Sequence, residues 1–301
     1  MKLLYIKNSD WEEDYIIKDL CGDIKNLEIE YYSKEDFSKL IKFQGEKVIL
    51  TLTINHIYNL EEAKKVVQNL KPLIIIFLSD ESGKHNEWIS LASYTKLFLI
   101  QYNHSHYNLL NNNIYQIPLG YVKGMLNGKK STNLKLKKIV ERKYKWCFIG
   151  TKKSDRQDMY KSFLRNISDD QKDFYLSTSN NLWNIEKLQD SPKDIFEKYS
   201  DTIFVPIGRG NTNLDCFRIY EAIISGAIPV IVGKETEINN AFNYNGKTFA
   251  RIQAENWEEA SRTCKEFLNK PETLQQIQEV NKIWWSEQIK QIRKLIKKAI
   301  N

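Results

Sequence analysis

The sequence predicts an α/β protein with two parallel sheets, each covered by helices. Short apolar segments alternate with longer amphipathic segments, which is the pattern of β-α-β units. The alternation occurs twice, and 301 residues suffice for two domains of about 150 residues each. A hydrophobic content of 42% with 28% charged residues is typical of a globular chain and excludes a disordered one.

The first half begins with a strand and contains five apolar strand segments. The run at residues 73–78 consists only of Leu, Ile and Phe, which suits a parallel strand buried on both faces. We expect strands at residues 2–6, 27–31, 47–53, 73–78 and 97–101, and helices at 14–21 and 60–70.

The second half repeats this pattern and ends in a long helical stretch. We expect strands at residues 146–150, 173–177, 202–206 and 227–232, and helices at 156–164, 192–199 and 214–225. Apolar residues recur at helical spacing over 274–300, with basic residues on the other side. This pattern favours a terminal helix packed on the body, and a helix lying on a membrane surface is the alternative.

A basic run without a strong apolar pattern separates the halves at residues 129–145. We interpret it as a solvated linker and hinge, with an anionic partner as the alternative. The predicted domains are residues 1–135 and residues 136–301.

Charge and cysteine content exclude several classes of protein. A net charge of +7 is too small to indicate nucleic-acid binding without a concentrated patch. No apolar run approaches the roughly 18 residues of a transmembrane segment. The four cysteines are too far apart for a metal site and too few for a disulfide scaffold, so we expect them to be reduced. The N-terminus turns polar after six residues, and the sequence as given is expected to be cytoplasmic.

Residues 204–231 carry the strongest functional pattern, because a strand leads through a Gly-Arg-Gly loop into a helix. Glycines allow close approach to a ligand, and a helix N-terminus favours phosphate. Arg209 and Arg218 offer forked donors suited to a diphosphate. Arg218 and Glu221 are three residues apart and share one helix face, so they could bind a diphosphate and the adjacent ribose.

This segment resembles the exostosin-type glycosyltransferases, which have a Gly-Arg-Gly loop, an acidic-x-Phe-Arg-x-x-Glu-Ala helix and a Gly-x-Ile-Pro-Val-Ile strand. The match is close over residues 204–232 and looser at residues 148–150 with Arg156, 79–81 and 117–121. The resemblance implies a GT-B fold of two Rossmann-like domains with a cleft between them. Residues 1–135 would form the acceptor-side domain, and residues 136–301 the nucleotide-sugar-binding domain, which ends in the C-terminal helix. The resemblance also implies a nucleoside-diphosphate sugar as donor substrate, usually a UDP-sugar, without a further cofactor, and inversion at the anomeric carbon.

The implied enzyme is a hexosyl- or pentosyltransferase acting on a glycan or glycoconjugate. In this resemblance Arg218 and Glu221 correspond to the family's arginine and glutamate, and Arg209 to its loop arginine. The full set of residues expected at the donor nucleotide is Arg218, Glu221, Arg209, Gly210, Gly150, Arg156, Asn213 and Asp215.

Two absent patterns favour a metal-free, inverting reaction. No Asp-x-Asp pair, the metal-binding pattern of single-domain transferases, occurs in the chain. Many retaining GT-B enzymes carry a glutamate eight residues before the one at Glu221, but here that position is Asn213. Arginines and a helix dipole can stabilise a leaving diphosphate in place of a metal, so no metal ligands are expected.

An inverting transfer needs a general base, and Asp80 and Glu81 are the candidates because they follow the strand at 73–78. They could instead cap the following helix. Glu81 is preferred because its longer side chain reaches further across a cleft. His104 and His106 follow the next strand and are assigned to the acceptor side.

Two other functions remain open. A catalytically silent protein that binds a sugar nucleotide would show nucleotide binding without turnover. A Rossmann oxidoreductase is disfavoured because Asn213 stands where the third glycine of its fingerprint is expected.

Overall fold

The computed structural model describes residues 1–7, 11–54, 57, 59–78, 80–102, 104, 113–151, 154–179, 190–244 and 246–301. Within these ranges the chain forms two parallel β-sheets flanked by helices, as the sequence predicts. One sheet is built from residues 2–116 and the other from residues 144–254, so each half has its own sheet.

The first sheet has six strands in the order β2-β1-β3-β4-β5-β6, and all pairs are parallel. Its strands are β1 (Lys2–Ile6), β2 (Glu28–Tyr32), β3 (Val48–Thr53), β4 (Ile74–Leu78), β5 (Leu97–Ile100) and β6 (Ile114–Gln116). It is flanked by α1 (Leu60–Leu70), a π-helical turn (Tyr15–Leu20) and 3-10 helices at Lys34–Phe43 and Asn86–Tyr94. The edge strand β6 was not predicted.

The second sheet has five parallel strands in the order β11-β10-β9-β7-β8. Its strands are β7 (Tyr144–Thr151), β8 (Phe174–Ser179), β9 (Thr202–Ile207), β10 (Ile228–Val232) and β11 (Ile252–Ala254). The helices are α2 (Ser154–Ile167), α3 (Pro192–Ser200), α4 (Phe217–Ser225), α5 (Glu235–Ala241), α6 (Trp257–Leu268) and α7 (Pro271–Ile300). Short 3-10 turns lie at Ser131–Asn133, Ile139–Glu141 and Gln171–Asp173.

Helix α4 begins three residues later than the predicted start at residue 214. The side-chain oxygen of Asn213 accepts from the backbone N–H of Asp215 at 3.1 Å, so these residues form a local turn. Cys216 has extended backbone angles and precedes the first helical residue. Gly226, with φ of +78°, ends the helix in the left-handed conformation that glycine favours.

The basic run between the sheets is not the fully solvated linker that was predicted, because Ser131, Ile139, Arg142 and Tyr144 are buried. Arg142 is buried, and its guanidinium group donates to the carbonyl oxygens of Lys137, Tyr199, Thr202 and Ser225. Burial lowers the pKa of this guanidinium to about 10. Arg142 therefore joins the linker to the second half, and the boundary at residues 135 and 136 stays a prediction.

Helix α7 packs against both halves, which confirms the predicted C-terminal helix. The indole ring of Trp285 lies 5.8 Å from the ring of Tyr15 in the first half and 6.1 Å from that of Tyr220 in α4. Its N–H donates to the hydroxyl of Ser131 at 2.7 Å. No helix in the described parts of the chain is both long and apolar enough to cross a membrane.

The strand order determines where a ligand can enter each sheet. In the second sheet β7 lies between β8 and β9. The chain therefore continues from β7 to one side of the sheet and then returns to the other side, so the strand order changes direction between β7 and β9. Ligands of open α/β sheets bind at such a point, beyond the carboxyl ends of the strands. In the first sheet the strand order changes direction between β1 and β3. The rings of Trp11, after β1, and Phe217, at the start of α4, are 5.8 Å apart, so the two halves meet near these ends.

Candidate active site

Two arginines lie against one aromatic ring at the carboxyl end of β7. The guanidinium carbons of Arg218 and Arg156 lie 5.3 Å and 5.4 Å from the ring centre of Phe148. Nε of Arg218 donates to the carbonyl oxygen of Ile149 at 3.0 Å, which fixes the orientation of the group. A Cβ on Gly150 would lie only 3.0 Å from the Arg218 guanidinium. The structure therefore brings together the predicted residues Gly150, Arg156 and Arg218.

Arg156 connects this arginine pair to the loop after β9. Its side chain is buried and donates to the carbonyl oxygens of Thr151 and Arg209, each at 2.7 Å. A Cβ on Gly208 would lie 2.6 Å from Nε of Arg156, so a larger residue at this position would displace the arginine side chain. The glycine was predicted to allow a ligand to approach the backbone closely, whereas in the structure the Arg156 side chain lies in that space.

Glu221 lies on α4 one turn from Arg218 and is buried against the first half. Burial raises the pKa of the Glu221 carboxyl to about 7, while Arg218 and the backbone N–H of Val122 act in the opposite direction. Val122 belongs to the first half, so Glu221 lies where the two halves meet. The predicted ribose contact of Glu221 stays a prediction.

Arg209 has a partner that the sequence did not indicate. Its two terminal nitrogens donate to the two carboxylate oxygens of Glu237, at 2.6 Å and 2.7 Å, in a forked pair. This hydrogen bonding lowers the pKa of Glu237. The Arg209 side chain is thus bound to helix α5, and its predicted phosphate contact stays a prediction.

Glu81 comes from the first half and binds the backbone of the loop in the second half. Its Oε1 accepts from the N–H groups of Asn211, Thr212 and Asn213 at 2.5, 2.9 and 3.2 Å. A Cβ on Gly210 would clash with the same oxygen, so an alanine there would displace the carboxylate or the loop. These contacts place Glu81, Gly210 and Asn213 in one cluster across the cleft.

Asp80 lies in a tight turn after β4 and has a φ of +68°. Its carboxylate is buried and accepts from the backbone N–H of His85 at 3.4 Å, while its carbonyl oxygen lies 2.9 Å from Nε2 of His104. The carboxylate thus bonds the residue before the 3-10 helix Asn86–Tyr94, and the capping role and the general-base role of Asp80 both stay predictions. His106 lies outside the described residues.

Asp215 points into the protein and is bonded by two tyrosines. Its carboxyl accepts from the hydroxyl of Tyr220 at 2.7 Å and from that of Tyr244 at 3.4 Å. Burial raises the pKa of this carboxyl to about 8, although both hydrogen bonds act in the opposite direction. Its predicted donor contact stays a prediction.

Two residues near this cleft were not predicted. Tyr102, after β5, is surrounded by acidic groups: burial raises the pKa of its hydroxyl well above its usual value, and the charges of Asp215, Glu81 and Glu12 add to this effect. Glu12, after β1, is itself buried. Both follow strands of a parallel sheet, and that position is the sequence signal that could have indicated them.

The described residues contain no group of three or more His, Cys, Asp or Glu side chains placed to hold a metal ion. Arg156 and Arg218 place two positive charges at the carboxyl end of β7.

Sequence comparison identifies one matching family model. The model of the RXYLT1 C-terminal domain matches residues 127–297, which include the whole second sheet and the Gly-Arg-Gly loop. No curated protein matches the chain by sequence.

Solved structures with a similar fold include three glycosyltransferases. Anabaena Alr3699/HepE, in complex with UDP and glucose, has a TM-score of 0.60 and 9% identity over 100% of this chain and 99% of its own. An α1,3-fucosyltransferase has a TM-score of 0.54 and 14% identity over 100% and 90%. A point mutant of T4 phage BGT, in complex with UDP-glucose, has a TM-score of 0.51 and 13% identity over 100% of both chains. The likeness confirms the predicted GT-B fold.

Proposed function

The chain belongs to the family of the RXYLT1 C-terminal domain and is a glycosyltransferase, and we propose that it moves a hexosyl or pentosyl group from a UDP-sugar to a hydroxyl of a glycan or glycoconjugate. The second half would bind the donor and the first half the acceptor. Two of the similar structures hold UDP or UDP-glucose, which supports uridine as the nucleoside.

The arginine pair on Phe148 is the observation that carries this proposal. Arg156 and Arg218 concentrate two positive charges at the carboxyl end of β7. The strand order changes direction beside β7, which is where open α/β sheets bind their ligands. Their hydrogen bonds to backbone carbonyl oxygens orient both groups before a ligand arrives. A pre-oriented guanidinium pair is suited to the negative charge that develops on a leaving diphosphate.

We propose that the reaction inverts the anomeric carbon in one displacement. The acceptor oxygen forms a bond to that carbon as the bond to the diphosphate oxygen breaks, and the bonding electron pair leaves with the diphosphate. The acceptor proton passes to a carboxylate of the first half. Glu81 is the preferred base because it already crosses to the donor loop, and Asp80 is the alternative.

We propose further that no divalent metal is needed, because Arg156 and Arg218 supply the charge that a metal would otherwise provide. His104 would contribute to the acceptor side through its position beside Asp80. The four free cysteines support a reducing, cytoplasmic location.

The test is a thermal-shift screen of nucleoside-diphosphate sugars, followed by a transfer assay with each sugar that stabilises the protein. Ligands that bind only the folded state raise its melting temperature. A UDP-sugar should give the largest shift, and NMR of the product should show an inverted anomeric configuration. Binding without transfer would favour the catalytically silent alternative, and retained configuration would contradict the displacement.

A further inference from the structure

The backbone N–H groups of Asn211, Thr212 and Asn213 form a small concave site, which we call the loop cup. All three donate to the same carboxylate oxygen of Glu81. Successive N–H groups that converge on one point bind anions, because their partial positive charges add. The occupant in this structure is a side chain that lies 130 residues away in sequence and belongs to the other half.

The loop shapes this cup through its own hydrogen bonds. The N–H of Gly210 donates to the carbonyl oxygen of Asn213 at 2.9 Å, which closes the turn. The side-chain oxygen of Asn213 accepts from the N–H of Asp215 at 3.1 Å. Neither bond involves Glu81, so the N–H groups would keep their direction after the carboxylate left.

The cup lies beside the arginine pair. It begins two residues after Arg209, whose carbonyl oxygen accepts from Arg156 at 2.7 Å. An anion in the cup would therefore be bound by the same loop that Arg156 contacts, beside the proposed diphosphate site. A carboxylate and a phosphate oxygen have the same hydrogen-bonding character toward N–H donors.

We infer that the loop cup is a phosphate-binding site and that Glu81 occupies it until the phosphate of the donor displaces the carboxylate. This inference rests on the proposed function. Binding of the donor phosphate would then release Glu81, so the base would become available together with its substrate. If Glu81 fills the cup nine-tenths of the time, the apparent affinity for a phosphate ligand falls about tenfold.

The experiment is calorimetric titration of UDP, inorganic pyrophosphate and uridine into the wild-type protein and three variants. Glu81→Gln removes the competing charge and should bind UDP and pyrophosphate about 5- to 10-fold more tightly. Glu81→Ala removes the carboxylate together with its hydrogen-bond acceptors, and it should tighten binding in the same direction. Uridine, which lacks phosphate, should bind equally to all.

Glu87→Gln is the matched control, since Glu87 is an exposed carboxylate six residues further along, where it lies beside His85. It should leave the affinity for UDP unchanged. Unchanged or weaker UDP binding in either Glu81→Gln or Glu81→Ala overturns the inference, and so does a gain that Glu87→Gln reproduces. A wild-type protein that binds neither UDP nor pyrophosphate contradicts the proposed function itself.

Discussion

The guanidinium group of Arg218 lies over the ring of Phe148, 5.3 Å from its centre, and donates to the carbonyl oxygen of Ile149. The ring and the carbonyl hold this charge at the end of β7. Because the group is oriented without a ligand, it can bind a phosphate with little further loss of conformational entropy.

Replacing Arg218 with Ala should therefore weaken UDP binding by about 2 kcal/mol or more, because a charge-assisted contact is lost. That is about 30-fold in Kd, measurable by calorimetry. Arg218→Lys should recover only part of the loss, since an ammonium group lacks the planar fork. Arg165→Ala removes an exposed arginine as a control and should bind UDP normally. Normal affinity in Arg218→Ala would show that the diphosphate binds elsewhere.

Glu221→Ala should weaken the binding of uridine as well as of UDP, because its proposed partner is the ribose. Arg218→Ala should weaken only the binding of UDP, since uridine has no phosphate. The comparison of the two variants against both ligands thus separates the two roles. Loss of UDP binding with unchanged uridine binding in Glu221→Ala would contradict the ribose contact.

The raised pKa of Asp215 predicts how stability depends on pH. The carboxyl titrates near 4 in the unfolded chain and at about 8 in the folded protein, so the folded state binds more protons between these values. Stability should fall as pH rises through this window, and Glu221, at about 7, acts in the same direction.

Asp215→Asn removes this proton and should flatten the decline of Tm between pH 5 and pH 8.5, because an amide oxygen can still accept from Tyr220. Asp158→Asn, at an exposed position, should keep the wild-type decline. Equal slopes in the Asp215 variant and the wild type would contradict a protonated, buried Asp215.

Transfer should proceed in EDTA at its ordinary rate, because the arginines replace a metal in the proposed mechanism. A complete loss of activity that added Mg²⁺ or Mn²⁺ restores would contradict this.

Substitution of the general base should lower kcat. General bases contribute typically about 100- to 10,000-fold, so Glu81→Gln should lose that much in kcat without a weaker donor KM. Asp80→Asn should lose less, since its carboxylate is bonded within its own turn. Near-normal kcat in both variants would show that the base is another residue of the cleft, and His104 and His106 would be the next candidates.

Much of the fold could be predicted because buried parallel strands are encoded locally. The run at residues 73–78 forms β4 from Ile74 to Leu78, and the segment at 202–206 forms β9 from Thr202 to Ile207. The three-residue strands β6 and β11 were missed, since so short a segment carries almost no periodicity and exists only by pairing with its neighbour.

The partners of the charged side chains could not be predicted in the same way. Arg209 pairs with Glu237, 28 residues away, and Glu81 binds a loop 130 residues away. No spacing along the chain distinguishes these partners from other exposed carboxylates and amides.

By itself, the sequence determined the two α/β halves, the Gly-Arg-Gly loop and the presence of Arg218 and Glu221 on one helix face, because each depends on residues at most a few positions apart. Only the tertiary structure decided which side chains pack against those glycines: Arg156 packs against Gly208, and Glu81 packs against Gly210. The physical reason is that a hydrogen bond or ion pair between distant residues depends on how the two sheets are packed, and that packing results from the burial of apolar surface throughout both halves.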